Sequence, residues 1–452
     1  MKNVLFAAAL LAAGAARAES LDGALRDALA NNRRVANQQL EAAKAHDRFV
    51  AVRTNRLPRL NLDVLTNENL TRLSFNFAQG FFGVYPGVGP IPAQDTKLTI
   101  ARTLDTFALF RVTQPITQLR QVAIGARMAE EQEAIERERL RGERVRLAGD
   151  VARLYHAMQQ TRDAIVASDA AIATLQEIEK TAQRHLEQQT ILKADVLDVS
   201  ARLAAARATR TTATNAYATQ REQMSFLLGR PFTEPDAMEP PPAGDVDAAP
   251  NRADVAEVRL RVKQAEDDVR LQRAKQLPDV SLVGVYIAPS TAGVLPRNIA
   301  AATLLVSYEP FTWGRRGAEI AEKQKSLEQA RNALRDAEEG AAVEIAERRR
   351  KIGEARASID ARRAEQEAAN ERLRVVRERF GADAALLKDV LERQAALADA
   401  NRKLSEATES YWIARADLDR ALGGGQALLP VPPPPKTGKS ACPPLSPCGV
   451  MQ

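Results

Sequence analysis

The side chains able to do chemistry are few in this chain, and they are scattered. Its three histidines, His46, His156 and His185, stand far apart in helix-forming sequence without metal-ligand spacing, and are read as ordinary surface or seam residues. No Gly-x-Ser-x-Gly turn, no phosphate-cradling loop ahead of Lys-Ser/Thr and no paired cysteine motif of the zinc type is present. Gly87-Val-Gly89 lies in a proline-rich stretch that opens no helix, so it is not a dinucleotide fingerprint. The only two cysteines, Cys442 and Cys448, close a small local loop in an oxidising compartment or pair between molecules. What does recur is an Asp-Val-Leu segment, at Asp195-Val196-Leu197 and again at Asp389-Val390-Leu391. Asp389 and Glu392 have the three-residue spacing of a capping box, with Asp389 as the N-cap. The chain is therefore read as a non-enzyme with no metal or other cofactor.

Long helices must hold those segments. Proline lacks the N–H that a helix interior uses and clashes with the preceding turn, so proline-free intervals mark where long helices can run. Two dominate: Ile116 to Arg230, 115 residues, and Phe311 to Leu429, 119 residues, both rich in Ala, Glu, Arg, Gln and Leu. In the first, Leu147, Val151, Leu154, Met158, Thr161, Ile165, Ser168, Ile172 and Leu175 alternate steps of four and three, the seam of a coiled coil. In the second, Ile345, Ile352, Ile359, Gln366 and Leu373 recur every seven residues. Burying the apolar members of the first seam is worth about 10–20 kcal/mol before chain entropy, and only partner helices can realise it. The Arg- and Glu-rich flanks are solvated faces. Each tract has one interruption, at Gln188 to Lys193 and at Phe380-Gly381-Ala382-Asp383, where the chain is expected to reverse. Helices from about Thr117 to Gln188 and from about Gly314 to Phe380 would each be about 100 Å long. Such a length suits a rod and not a compact enzyme.

The order of elements occurs twice. Gln114-Pro115-Ile116 matches Glu309-Pro310-Phe311, the two Asp-Val-Leu segments match, and Leu228-Gly229 matches Leu422-Gly423, at offsets of 195, 194 and 194 residues. Leu57-Pro58 matches Leu277-Pro278 at 220, so the first hairpin carries about 25 extra residues, placed in the loop from Phe75 to Pro92. The expected organisation is a signal peptide at 1–18, a first repeat of helix, hairpin and long helical pair at 19–230, a Pro-rich linker at 231–250, a second repeat at 251–425 and a Pro-rich disordered tail at 426–452.

The signal reading rests on Lys2, the apolar run Val4 to Ala13 and the small-residue site Ala16-Arg17-Ala18 ahead of Glu19. Beyond it, 62 basic residues face 58 acidic ones, a formal net charge of +4 that argues against a nucleic-acid binder. No cysteine follows the signal site to carry a lipid anchor, and no later run reaches the roughly 18 apolar residues a membrane helix needs. A membrane crossing would have to use strands. The candidates are Arg59 to Leu65, with Leu60, Leu62 and Val64 on one face, Lys97 to Gln114, Val280 to Ile287 and Ile299 to Tyr308. Four strands cannot close on themselves, because unpaired edges would face lipid and small barrels begin at about eight strands. Either copies of the chain pool their strands, or two hairpins pack on a soluble helical bundle.

The signal peptide, the duplicated helix, hairpin and long helical pair, the Gln-Pro-Ile and Glu-Pro-Phe-Thr-Trp-Gly-Arg-Arg segments and the paired Asp-Val-Leu segments together resemble the TolC-type outer-membrane efflux proteins. The likeness runs from about Leu21 to Gly425 and rests on order and spacing more than on any single motif. It implies a mainly α fold with a small β part: duplicated long coiled-coil helices plus two β-hairpins per protomer. Three protomers would form a 12-stranded outer-membrane β-barrel, continued by a periplasmic α-helical tunnel. It implies a homotrimer set in outer-membrane lipid and reaching into the periplasm, joined through a periplasmic adaptor (membrane fusion) protein to an inner-membrane pump and exporting small molecules. A type I protein-secretion duct, or a periplasmic coiled-coil scaffold without a pore, are the alternatives the residues leave open.

The resemblance also implies where function sits. The turns ending the long helical pairs look like the tips that meet the adaptor, which assigns that contact to Gln189, Thr190, Asp195, Gly381, Ala382 and Asp383. Gln189 stands where relatives carry Gly, and Ala385 where some carry a locking Arg. The acidic constriction of the family falls on Asp389 and Glu392. In a trimer these become a ring, and two like charges about 7 Å apart cost about 2 kcal/mol at an effective dielectric of 20. Such a ring binds cations or raises its own carboxyl pKa values, which makes a cation-preferring pore the expectation.

Overall fold

The computed structural model describes residues 18–68, 70, 73–100, 104–189, 191–242, 244, 248–289, 298–382 and 384–424. Most of the signal segment, Thr190, Asp383 and both cysteines of the tail lie outside the described residues. The first repeat runs α1 (Leu21–Asn31), α2 (Arg33–Thr54), β1 (Arg59–Glu68), β2 (Leu73–Phe77), β3 (Val84–Tyr85), β4 (Gly89–Pro90), β5 (Thr96–Ile100), β6 (Leu104–Pro115), α3 (Leu119–Glu187) and α4 (Lys193–Leu228). The second runs α5 (Ala253–Ala274), β7 (Asp279–Pro289), β8 (Ile299–Ser307), α6 (Arg315–Gly381) and α7 (Leu387–Ala421). Helices α3 and α6, of 69 and 67 residues, fill the space the prolines leave free. No described helix is long and apolar enough to cross a membrane.

Helices α2 and α5 are both 22 residues long and lie 220 residues apart, the offset of the Leu-Pro pair. The duplication also shows in two glycines. Gly229 ends α4 with φ +69, and a Cβ there would come within 3.2 Å of the Asn31 carbonyl oxygen. Gly423, just past α7, has φ +98, and a Cβ would lie 2.1 Å from the Asn251 carbonyl oxygen. Both positions require a left-handed backbone and a close approach, which only glycine combines without strain. The 25-residue excess of the first hairpin is more ordered than a plain loop. Strands β2 and β5 pair from Leu73↔Ile100 to Phe77↔Thr96, and β3 pairs with β4 beyond them.

The chain divides into two compact units, each drawn from both repeats: Met1–Lys44, Glu133–Arg261 and Ala330–Gln452 in one, Ala45–Gln132 and Val262–Gln329 in the other. The first unit is helical. One of its cores gathers Ala28, Val35, Leu147, Val151, Met158 and Leu228, and another gathers Ile345, Ile352, Ile359, Tyr411 and Leu418. The seam positions are thus where burial is deepest, with Val151 and Met158 fully covered. The second unit holds all the strands among the described residues. In it the Asp267 carboxylate, 3 % exposed, accepts from Arg270 at 2.6 Å on its own helix and pairs with Arg127 of α3 at 3.3 Å, so its buried charge is compensated from two sides.

Candidate functional site

The four long strands form one antiparallel sheet in the order β1-β6-β7-β8. Its register decides the two faces, because residues directly opposite in an antiparallel ladder point to the same side. One face collects Leu60, Leu62 and Val64 of β1, Val112, Phe110 and Ala108 of β6, Leu282, Gly284 and Tyr286 of β7, and Val306, Leu304 and Ala302 of β8. It holds no charged residue over these rungs. The other face collects Arg59, Asn61 and Asp63, then Arg111 and Thr113, then Ser281, Val283 and Val285, then Leu305 and Thr303. Over these rungs a period of two thus sorts the charge to one side, with Glu68 the charged residue at the loop end of the apolar face, as a wall between lipid and a wet interior requires. Strands β1 and β8 are the sheet's edges, each with an open row of backbone donors and acceptors.

The helical reversals fall where the sequence places them. Helix α3 ends at Glu187 and α4 begins at Lys193; α6 ends at Gly381 and α7 begins at Leu387. The structure brings the two turns together in one cluster, where Leu387 and Leu391 of α7 pack with Leu175, Ala182, Val199 and Leu203, and the His185 and Phe380 rings lie 6.4 Å apart. Asp195 and Asp389 do the same job. Each carboxylate accepts from the backbone N–H three residues before it, Leu192 at 3.0 Å and Leu386 at 3.2 Å, while its own N–H donates back to that residue's carbonyl. The capping-box reading is corrected in one respect: Leu386 is the N-cap, with extended φ and ψ, and Asp389 is the third helical residue reaching back to it. Glu392 therefore has no capping role. Its carboxylate is exposed and stands 3.9 Å from Lys388. Gln189 is left-handed, with φ +57, so the residue in glycine's place adopts a glycine conformation. Gly381 is the last residue of α6, and the exposed Ala382 donates to the Glu378 and Arg379 carbonyls at 3.2 Å.

A second constellation escaped the sequence reading. The proline-rich segment after α4 is strapped to the helices through its carbonyls. Tyr155 Oη donates to the Glu19 carbonyl at 2.7 Å and accepts from the Asp236 N–H at 2.9 Å. Gln159 Nε2 donates to the Asp236 carbonyl at 2.9 Å, Arg162 donates to the Pro235 carbonyl, and Trp412 Nε1 donates to the Glu239 carbonyl at 3.0 Å. Since the Gln159 amide nitrogen is committed to Asp236, its Oε1 must accept, and His156 Nδ1, 2.8 Å away, carries the proton. The His156 ring is stacked on Trp412 at 5.1 Å, and burial holds its pKa below the usual histidine value, partly offset by the Gln159 bond. Burial also pushes the Tyr155 phenol up to about 12. At the chain's start Arg230 ties together Glu19 and Asp27. A legible signal existed: Tyr155, Gln159 and Arg162 follow the i, i+4, i+7 spacing of one helical face, and a proline-rich strand has carbonyls to offer it.

The description of the outer membrane efflux protein family matches residues 24–230 and 246–424. Among curated proteins no relative matches the chain. Among solved structures, CusC, known from crystal structures of its folding and transmembrane channel formation, superposes with a TM-score of 0.76 at 16 % identity over 90 % of this chain and 92 % of that one. VceC of Vibrio cholerae, an outer membrane protein, gives 0.73 at 16 % identity over 90 % and 96 %. The open state of the MtrE outer membrane channel of Neisseria gonorrhoeae gives 0.71 at 18 % identity over 90 % and 89 %. At such identities these likenesses establish the fold.

Proposed function

The chain belongs to the outer membrane efflux protein family and is an outer-membrane efflux channel of the TolC type, and from that premise we propose that three copies build the duct of a tripartite pump exporting small molecules. The observation that carries the assembly is the open four-stranded sheet with two unpaired edges and an apolar face that is uncharged from Leu60 to Val64 and across their rungs. Pairing β8 of one copy with β1 of the next satisfies both edges, and three copies give twelve strands, above the minimum for a membrane barrel. The repeats at 19–230 and 251–425 then each give every protomer one hairpin and one helical pair.

The tips are the docking end of this duct. Leu192 and Leu386, equivalent positions of the two repeats, are 71 % and 70 % exposed, so each turn offers a bare apolar side chain, beside Gln189 and Asp195 in the first and Ala382 in the second. A periplasmic adaptor linked to an inner-membrane pump is the partner this surface suits. Asp389 and Glu392 form the acidic ring of the mouth. Planar-bilayer recording tests the ring: the Asp389→Ala, Glu392→Ala double variant is expected to lose most of the wild-type preference for K+ over Cl−, and an unchanged preference makes both residues structural. Heat-modifiable trimers in the outer-membrane fraction are expected for both proteins.

A further inference from the structure

The charge-bearing face of the sheet is divided. Its first hairpin, β1 and β6, places Arg59, Asn61, Asp63 and Arg111 there, whereas its second, β7 and β8, places Val283, Val285, Ile287 and Leu305 there. Ser281, Thr303 and, at the helix end, Asp279 also lie on this face, but from Val283 to Ile287 and at Ile299, Ala301 and Leu305 it is apolar, so this part of the second hairpin is apolar on both faces, although only one can meet lipid. Register puts the two kinds of surface on common rungs: Asn61, Arg111, Val285 and Ala301 form one, and Asp63, Leu109, Ile287 and Ile299 the next toward the loop end. Neighbouring strands are about 4.8 Å apart, so a guanidinium and an apolar wall are separated by about 5–10 Å along the same height. Arg111 is exposed and makes no ion pair among the described residues. Arg59 lies one diagonal step away from it, donating to Asn55 at 3.3 Å, and Asp63 lies one diagonal step on the other side. Two guanidiniums therefore flank Asn61 against one carboxylate.

We propose that this face is a transit subsite for small amphiphilic anions, the acidic head beside Arg111 and the apolar body along the inner β7–β8 wall. The inference rests on the trimeric-channel reading, in which this face lines the lumen. An apolar wall gives a hydrated metal ion or a short polar solute nothing to bind, and a cationic amphiphile meets two guanidiniums against the one carboxylate of Asp63 around Asn61, Asp279 lying four residues beyond Val283 along β7. A molecule with an anionic head and an alkyl or ring body about 10 Å long satisfies both halves of a rung.

The test is block of single-channel current by octanesulfonate, with methanesulfonate as the headgroup-only control and octyltrimethylammonium as the opposite-charge control. Wild-type trimers are expected to be blocked by octanesulfonate about tenfold more strongly than by either control. The Val283→Thr, Val285→Thr, Leu305→Thr triple variant, whose threonines favour strands, and the separate Arg111→Gln variant should each remove most of that difference. Val306→Thr, on the lipid face, should leave it intact. Equal block by octanesulfonate in the wild type and the triple variant overturns the proposal, as does equal block by octyltrimethylammonium. Trimers that pass no current before any probe is added overturn the channel reading beneath it, which is a separate and earlier result.

Discussion

The strap between the repeats and the turns at the helical tips are both short irregular segments joining helices, yet the structure treats them in opposite ways. The strap is held by side chains: Tyr155, Gln159, Arg162 and Trp412 spend their hydrogen bonds on its carbonyls and N–H groups, and Pro235 is almost wholly buried. The tips are held from within: the Asp195 and Asp389 carboxylates cap their own helices, Gln189 takes a left-handed bend, and Leu192 and Leu386 are exposed. A proline-rich segment cannot satisfy its own carbonyls in a helix or ladder, so it must borrow donors from its neighbours. A two-helix turn can close on itself, which leaves its side chains free for another molecule.

The contrast can be broken most forcefully at Tyr155. Tyr155→Phe keeps the ring and removes both hydrogen bonds of the hydroxyl, leaving the Glu19 carbonyl and the Asp236 N–H without it. A loss of about 1–3 kcal/mol is expected, read as a lower midpoint of the helical circular-dichroism transition of the detergent-solubilised protein. An unmoved midpoint means that the strap is decoration.

At the tips the sign reverses. Gln189→Gly relieves a left-handed non-glycine residue and should stabilise by about 0.5–1 kcal/mol, the strain released less the entropy glycine adds. Hydrogen exchange of amides in residues 184–196 should slow by a few-fold to match, and faster exchange would show that the bend is not strained.

The smallest expected effect is a slope. Because burial lowers the pKa of His156 in the folded chain, its stability contribution is intact above the unfolded value of about 6.5 and erodes as pH falls below it, when the unfolded chain takes up the proton first. Wild-type protein should therefore lose more of its melting midpoint between pH 7 and pH 5 than His156→Phe does. Parallel curves would remove the histidine from the pH response of the strap. Its surroundings there, Tyr155, Gln159 and Trp412, carry no charge at these pH values.

Much of this was readable in one dimension. The seam from Leu147 to Leu175 foretold the buried line of α3 because a helix repeats every 3.6 residues whatever surrounds it, and Leu60, Leu62 and Val64 foretold a sheet face for the analogous reason. That Asp389 belongs to a capping box was legible, but the pair was not: the spacing to Glu392 is unused, and Leu386, which carries none of the usual cap chemistry, takes the N-cap position only through its backbone. His156 looked like any helical histidine, and nothing local to it announces Trp412 of a helix more than two hundred residues later. Thr190 and Asp383, assigned to the tips by resemblance, lie outside the described residues.

What the sequence determined by itself is everything that depends on near neighbours: the duplication, the helix lengths set by proline, the alternation of the strands and the two glycines that end the helical pairs. The tertiary structure alone decided that β6 of the first repeat pairs with β7 of the second from Phe107↔Pro289 to Pro115↔Ser281, and with that register which residues share a rung. It alone decided that the proline-rich segment is a strap. Periodicity is a property of a short stretch of chain, whereas register and borrowed hydrogen bonds join residues whose distance in sequence carries no trace of their contact.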